Sequence, residues 1–125
     1  MKKLVLICCI AAASTMAFGQ GTRITKSGFN AKAGQLNLLL EQSRADEAKA
    51  TWDEVHKMMM SEMTGVKYAM REAITASNTA EVTRLKSVIQ TQFAAYSSII
   101  KVRSNMVQNK ALIKAKLNEF GTRIL

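Results

Sequence analysis

The chain has 125 residues and a formal net charge of +9, from 18 Lys and Arg against 9 Asp and Glu. This length allows at most one domain once any targeting segment is set aside. Proline is absent altogether, and a chain without this helix breaker favours long helices.

The first 19 residues have the pattern of a secretory signal peptide. A doubly positive start precedes an apolar run at 4–18, which is shorter than the roughly 20 residues that span a bilayer. Small residues at 17 and 19 predict cleavage before Gln20 and therefore a periplasmic or secreted protein; a retained N-terminal anchor is the alternative. Because Cys8 and Cys9 lie in this segment, the exported chain has no disulfide, thiol nucleophile or thiolate metal site.

The exported part keeps a strongly basic balance. Without Lys2 and Lys3, 16 basic residues remain against 9 acidic ones, a net charge of +7. Export argues against nucleic acid, so acidic polypeptides, anionic lipid or another anionic envelope component are the expected partners. Residues 82–118 contain no acidic residue. This stretch is either an ordinary solvated face, partly neutralised by an acidic helix beside it, or a surface that attracts anionic partners. Its basic residues are Arg84, Lys86, Lys101, Arg103, Lys110, Lys114 and Lys116.

The pattern after the signal peptide predicts one all-α domain. Polar, glycine-containing residues 20–29 predict a flexible N-terminal arm, and the single helical domain is expected at 30–121. Asn30 is suited to cap a short first helix that runs to about Gln42. Ser43 resembles a second cap, so the chain either breaks there or continues into the next helix.

From position 45 onward, apolar residues recur at spacings of three and four, as on one face of a long helix. The stripe consists of Ala45, Ala48, Trp52, Val55, Met59, Met63, Val66, Met70 and Ala73. This helix is expected to stop near Ser77, and Asn78 followed by Glu81 fits a capping box for the next one.

The last helix is predicted from Thr79 to about Phe120, with Gly121 placed to end it in the left-handed conformation. Its wide apolar stripe indicates more than one neighbour. The members are Leu85, Ile89, Phe93, Tyr96, Ile100, Val107, Ile113 and Leu117, widened by Val88, Ile99, Val102 and Met106.

Two long helices joined by a short turn predict a long antiparallel helical hairpin with a short N-terminal helix. A lone hairpin has little interior. Either the first helix folds back as a third member or two chains associate, and we favour a homodimer.

Catalysis has little support, and we expect no enzyme. The chain has one histidine, no glycine-rich phosphate loop and no serine in a nucleophile-elbow pattern. In the most unusual stretch, one broad helix face is shared by Trp52, His56, Met59 or Met60, and Met63. Thioether and imidazole groups bind Cu(I) or Ag(I), so His56, Met60 and Met63 form a candidate soft-metal site. The alternative is that Met59 and Met63 belong to the core and His56 flanks it.

Three consecutive methionines cannot all face one core, so Met58 or Met60 is expected near the surface. Exposed methionine adapts to varied apolar partners. Together with a basic helix, these side chains predict a surface that binds polypeptides. The candidate residues are Met58, Met60, Lys101, Arg103, Lys110, Lys114 and Lys116.

An exported, basic helical hairpin with a methionine-bearing acidic helix resembles the Spy/CpxP-like periplasmic chaperones. The similarity covers Leu36 to Leu117 and includes the Met63 to Ile74 segment ahead of the helix start at Asn78 and Glu81. Residues 38–42 keep the two ends of the family's Leu-Thr-x-x-Gln motif. The resemblance implies a chaperone-like protein that holds other polypeptides. A structural or envelope interaction protein of unknown partner, and a periplasmic soft-metal binding or sensing protein, are the alternatives.

Overall fold

The computed structural model describes residues 24–124, which form four α-helices and no strand. The helices are α1 (Lys26–Glu41), α2 (Ala45–Thr75), α3 (Thr79–Lys101) and α4 (Lys110–Thr122). Two short 3-10 turns, Arg103–Asn105 and Val107–Asn109, connect α3 to α4. The all-α prediction is therefore confirmed for the described part of the chain.

Two predictions from the N-terminal sequence lie outside the described residues. These are the signal peptide at 1–19, with its cleavage before Gln20, and the first residues of the arm at 20–29. Within 24–124, none of the helices is both long enough and apolar enough to cross a membrane.

Each of the four helices packs against two others. α1 contacts α2 and α4, and α3 contacts the same two helices. The larger core cluster draws residues from all four helices, whereas a smaller one, around Val66 and Leu85, lies between α2 and α3. The first helix therefore folds back onto the long ones, which is one of the two solutions expected from the sequence. The homodimer stays a prediction.

The last helix is interrupted, so the continuous helix predicted from 79 to about 120 is wrong. α3 ends at Lys101 and α4 begins at Lys110. Between them, Asn109 Nδ2 donates to the carbonyl of Asn105 at 2.8 Å, and short polar side chains of this kind favour turns over continued helix. The break allows α4 to pack against α3 as well as α1, because the two halves of one straight helix cannot contact each other.

α1 begins before the cap predicted at Asn30. Thr25 is its N-cap residue, and the Thr25 side-chain oxygen accepts a hydrogen bond from the backbone N–H of Gly28 at 3.0 Å. Phe29 is fully buried, and its ring centroid lies 5.1 Å from that of Phe120. This contact with α4 explains why residues 26–29, predicted as part of a flexible arm, belong to the helix.

The turns that follow α1 and α2 share one backbone conformation. Ser43 and Ser77 have positive φ angles of 56° and 58°. In each turn, the N–H of the next residue bonds the carbonyl five positions back, which is the Schellman motif that glycine usually completes. Ser43 therefore terminates α1 and does not cap α2. The cap predicted at Asn78 is confirmed, because its side chain accepts the N–H of Glu81 at 3.2 Å.

Gly121 does not end α4 in the left-handed conformation. It lies inside the helix, which ends at Thr122. A Cβ atom at this position would lie 2.7 Å from Asn30 Oδ1 and 3.6 Å from the ring of Phe29. Glycine therefore permits the close approach of α4 to α1.

The apolar stripe of α2 is largely buried, as predicted. Its buried members are Ala48, Trp52, Val55, Met59, Met63, Val66 and Ala73. Met70 is half-buried and Ala45 is exposed. The period of three and four therefore identified the inward face of this helix correctly.

The inward face of α3 is rotated by about one residue from the predicted stripe. The buried residues are Leu85, Val88, Gln92, Ala95 and Ile99. Ile89, Tyr96 and Ile100 are half-buried, and Phe93 is 58% exposed. Because α3 packs against both α2 and α4, the line between its two contact surfaces is the most buried one, and that line includes a glutamine.

Two exposed ion pairs join neighbouring helices. Lys32 Nζ lies 2.7 Å from Glu54 Oε1, linking α1 to α2, and Lys110 Nζ lies 3.3 Å from Glu41 Oε1, linking α4 to α1. The hydrogen bond from Lys32, with its charge, holds the pKa of Glu54 below its ordinary value. Exposed pairs of this kind add little to stability.

Candidate binding site

An open groove of about 380 Å³ lies between α2 and α3. Its lining is mostly apolar and includes Met60 and Met63 from α2 and Ile89, Phe93 and Tyr96 from α3. Met63 is buried, whereas Met60 and Phe93 are 45% and 58% exposed. Large apolar side chains that are exposed together on one surface are typical of a partner site.

The helix geometry places both exposed side chains at the outer edge of the α2–α3 contact. Met60 directly follows Met59, and Phe93 directly follows Gln92; Met59 and Gln92 are fully buried. Successive residues on a helix point about 100° apart, so Met60 and Phe93 point away from the core, and both line the groove. Met58, the other methionine predicted to bind partners, is half-buried against the core.

One lysine belongs to the lining of the groove, and two others lie on α3 outside that lining. Lys67 lines it, as do Gln90 and Ala94. Lys86 and Lys101 lie four residues before Gln90 and seven after Ala94, spacings that keep them on the same face of α3. Among residues 24–124, no acidic side chain forms an ion pair with any of these three lysines, and no acidic residue lines the groove. The site is therefore apolar with positive surroundings.

An aromatic stack borders the groove. The imidazole of His56 lies between Trp52 and Tyr96, with ring centroids 5.5 and 5.4 Å away and planes within 14° of parallel. His56 Nε2 and the Tyr96 hydroxyl are hydrogen-bonded at 2.8 Å. The Phe93 ring lies 6.2 Å beyond Tyr96, so four rings run from α2 to α3.

A second cavity, of about 650 Å³, lies between the first half of α2 and the segment that joins α3 to α4. Trp52 and His56 line this cavity, whereas Tyr96 and Phe93 line the groove. The aromatic stack therefore connects the two concave sites. The larger cavity depends on the helix break, which the sequence patterns did not reveal.

The predicted metal ligands do not line a common site. Met60 and Met63 line the groove, but His56 lines the larger cavity, and its Nε2 already bonds Tyr96. Within the described residues, no group of three or more His, Cys, Asp or Glu side chains is placed to hold a metal ion. A Cu(I) or Ag(I) site at these residues requires His56 to release Tyr96 or to use Nδ1, and it stays a prediction.

The basic residues predicted to bind partners differ in availability. Lys110 and Lys116 are each paired with a glutamate at 3.3 Å. Lys101, Arg103 and Lys114 are exposed and have no ion-pair partner in the part of the chain that the structure describes. These three positive charges are therefore the ones free to meet an anionic partner.

A buried polar contact was missed from the sequence. Glu62 and Gln92 are fully buried, and Gln92 Nε2 lies 3.5 Å from Glu62 Oε2 and 3.0 Å from the carbonyl oxygen of Arg123. The contact joins α2 and α3 to the residue that follows α4. The available signal was the spacing of three and four residues between successive members of the buried line, from Leu85 to Ile99. To predict this line from the sequence, Gln92 had to be accepted as a core residue.

Comparisons with known proteins add no relative to this picture. No protein-family model, curated protein or solved structure matches the chain. The function is therefore argued from the groove, its charges and the adjoining cavity.

Proposed function

We propose that this protein is an exported, non-enzymatic helical protein that binds other polypeptides, chaperone-like, in the periplasm. The main support is the exposure of Phe93 and Met60 together over the apolar groove between α2 and α3. An aromatic ring supplies contact area, and a flexible thioether adapts to side chains of different shape. Such a surface is suited to binding many different client sequences rather than one specific sequence.

The preferred client is an apolar segment flanked by acidic residues. The apolar side chains enter the groove, and Lys67, Lys86 and Lys101 attract the flanking carboxylates. Complementary charge speeds encounter more than it strengthens the final complex. Salt therefore weakens capture, because exposed charges are screened over about 8 Å at physiological ionic strength.

The proposal includes the architecture and location expected from the sequence. Signal cleavage before Gln20 would release the chain, and intact-mass measurement of protein from the periplasm tests this. We propose that α2 and α3 are an antiparallel hairpin, since His56 contacts Tyr96 while Glu62, further along α2, contacts Gln92, earlier on α3. The resemblance to Spy/CpxP-like chaperones agrees with this arrangement.

A homodimer is also part of the proposal. Sedimentation of the exported protein is expected to give about twice the monomer mass. A compact monomer at micromolar concentration would mean that α1 and α4, which already pack against α2 and α3, complete the core within one chain.

The proposed function is tested with two labelled peptides that share one apolar core. One is flanked by glutamates and the other by lysines. The acid-flanked peptide is expected to bind about tenfold more tightly at low salt, a difference of about 1.4 kcal/mol, and to lose most of that advantage at high salt. Equal binding would contradict the charge argument. If neither peptide binds, docking of the basic surface to one anionic envelope partner becomes the better explanation.

A further inference from the structure

The larger cavity has an apolar floor and two walls of different origin. Leu40, Trp52 and Met106 line it, and each is less than a tenth exposed. α2 forms one wall, and the 3-10 segment between α3 and α4 forms the other. Its volume of about 650 Å³ lies within the range of small-molecule sites, roughly 300–1,000 Å³.

Charges of both signs line this cavity without forming ion pairs among themselves. Asp46, Lys49 and Asp53 follow at spacings of three and four, so they share one face of α2, and Arg103 belongs to the other wall. All four are exposed, and none forms an ion pair with a side chain in the described range 24–124. These charges are available to a ligand that carries charges of its own.

We propose that this cavity binds a zwitterion of the amino-acid type, either a hydrophobic amino acid or a short peptide with free ends. The guanidinium of Arg103 suits a carboxylate, which it can bind through two parallel hydrogen bonds. Asp53, beside Trp52 on α2, accepts the ammonium group, and the apolar side chain lies on Trp52 and Met106. A ligand with a single charge would meet a like charge on one wall, which opposes binding.

The chain contains a single tryptophan, so the emission of Trp52 reports directly on occupancy of this cavity. The protein is titrated with phenylalanine, with the dipeptide Phe-Phe, and with two singly charged analogues, phenethylamine and 3-phenylpropionate. Calorimetry on the same samples detects binding that leaves the emission unchanged. Phenylalanine or the dipeptide is expected to bind saturably, and the singly charged analogues about tenfold more weakly. Tighter binding of the dipeptide would identify a peptide as the ligand, and tighter binding of phenylalanine an amino acid.

Two variants test the assignment of charges against one matched control. Arg103→Gln and Asp53→Asn are each expected to weaken zwitterion binding roughly fivefold or more, without changing helicity. Lys26→Gln removes a similarly exposed, unpaired positive charge outside the cavity and is expected to leave binding unchanged.

Three results would overturn the proposal. One is equal affinity for the zwitterions and either singly charged analogue. Another is the absence of saturable binding of phenylalanine and the dipeptide by both methods. The third is an Arg103→Gln variant whose affinity matches that of Lys26→Gln.

Discussion

His56 Nε2 lies 2.8 Å from the hydroxyl oxygen of Tyr96, and the two rings are stacked across the α2–α3 contact. Tyr96 lines the groove, whereas His56 lines the larger cavity. This hydrogen bond therefore fixes the position of the rings that connect both candidate sites.

Removing the Tyr96 hydroxyl tests the structural value of that bond. Tyr96→Phe is expected to lower the free energy of unfolding by about 1 kcal/mol, since it leaves a half-buried imidazole nitrogen without its partner. Urea denaturation followed by circular dichroism measures this. The matched control is Tyr68→Phe, because Tyr68 packs its ring under Arg71 and its hydroxyl forms no hydrogen bond within the described residues. Equal destabilisation by both substitutions would contradict the assigned role of the His56–Tyr96 bond.

The soft-metal prediction gains a sharper test from the same bond. If Cu(I) binds through His56 Nε2, Tyr96→Phe should raise the Cu(I) affinity, because the hydroxyl no longer competes for that nitrogen. His56→Ala should remove most of the affinity, and Met70→Leu, outside the groove, should leave it unchanged. Competition titration with a Cu(I) chelator measures all three. Unchanged affinity in His56→Ala would end the soft-metal interpretation.

Because Ser43 and Ser77 have positive φ angles, glycine at either position is expected to stabilise the protein. Ser43→Gly and Ser77→Gly should each raise the free energy of unfolding by roughly 0.5–1 kcal/mol, because a side chain at positive φ is strained where glycine is not. Ser97→Gly, within α3, should instead lower it by roughly 0.5 kcal/mol. Chemical denaturation compares the three. Destabilisation by Ser43→Gly would show that the turn after α1 does not hold a left-handed residue.

Two helical glycines should respond in opposite ways. Nothing lies within 4 Å of a Cβ built at Gly34, so Gly34→Ala should stabilise α1 by up to about 1 kcal/mol. Gly121→Leu should destabilise the protein by roughly 1–3 kcal/mol, because the new side chain meets Asn30 and the ring of Phe29. Thermal unfolding measures both. A neutral Gly121→Leu would mean that α1 and α4 are not closely packed.

The sequence was most informative for α2, whose buried line consists mainly of apolar residues. The stripe of α2 is regular, so its period identified Trp52, Val55, Met59 and Met63 as core residues. The face of α3 was misplaced, because its most buried line includes the polar residue Gln92 and the small residue Ala95. Hydrophobicity alone cannot indicate such a position.

The candidate sites were only partly visible in the sequence. Exposure of Met60 was expected from the run of three methionines, but its proximity to Phe93 depends on the packing of α2 against α3. The larger cavity depends on the interruption near Asn105 and Asn109. Those polar residues favour a turn. The apolar residues around them recur at helical spacing, however, and that spacing predicted a continuous helix.

The most direct test of polypeptide binding compares two apolar side chains of equal exposure. Phe93 lines the groove and is 58% exposed, whereas Leu38, on α1, is 57% exposed and lies outside it. Affinity for the acid-flanked peptide is measured by fluorescence anisotropy for the wild type, Phe93→Ser and Leu38→Ser, after circular dichroism has shown equal helicity. If the groove binds polypeptides, Phe93→Ser is expected to weaken peptide binding about tenfold, as loss of a central aromatic contact does. The affinity of Leu38→Ser is expected to stay within about twofold of that of the wild type. Equal loss in both variants, or no loss in Phe93→Ser, would contradict the assignment of this groove as the polypeptide-binding site.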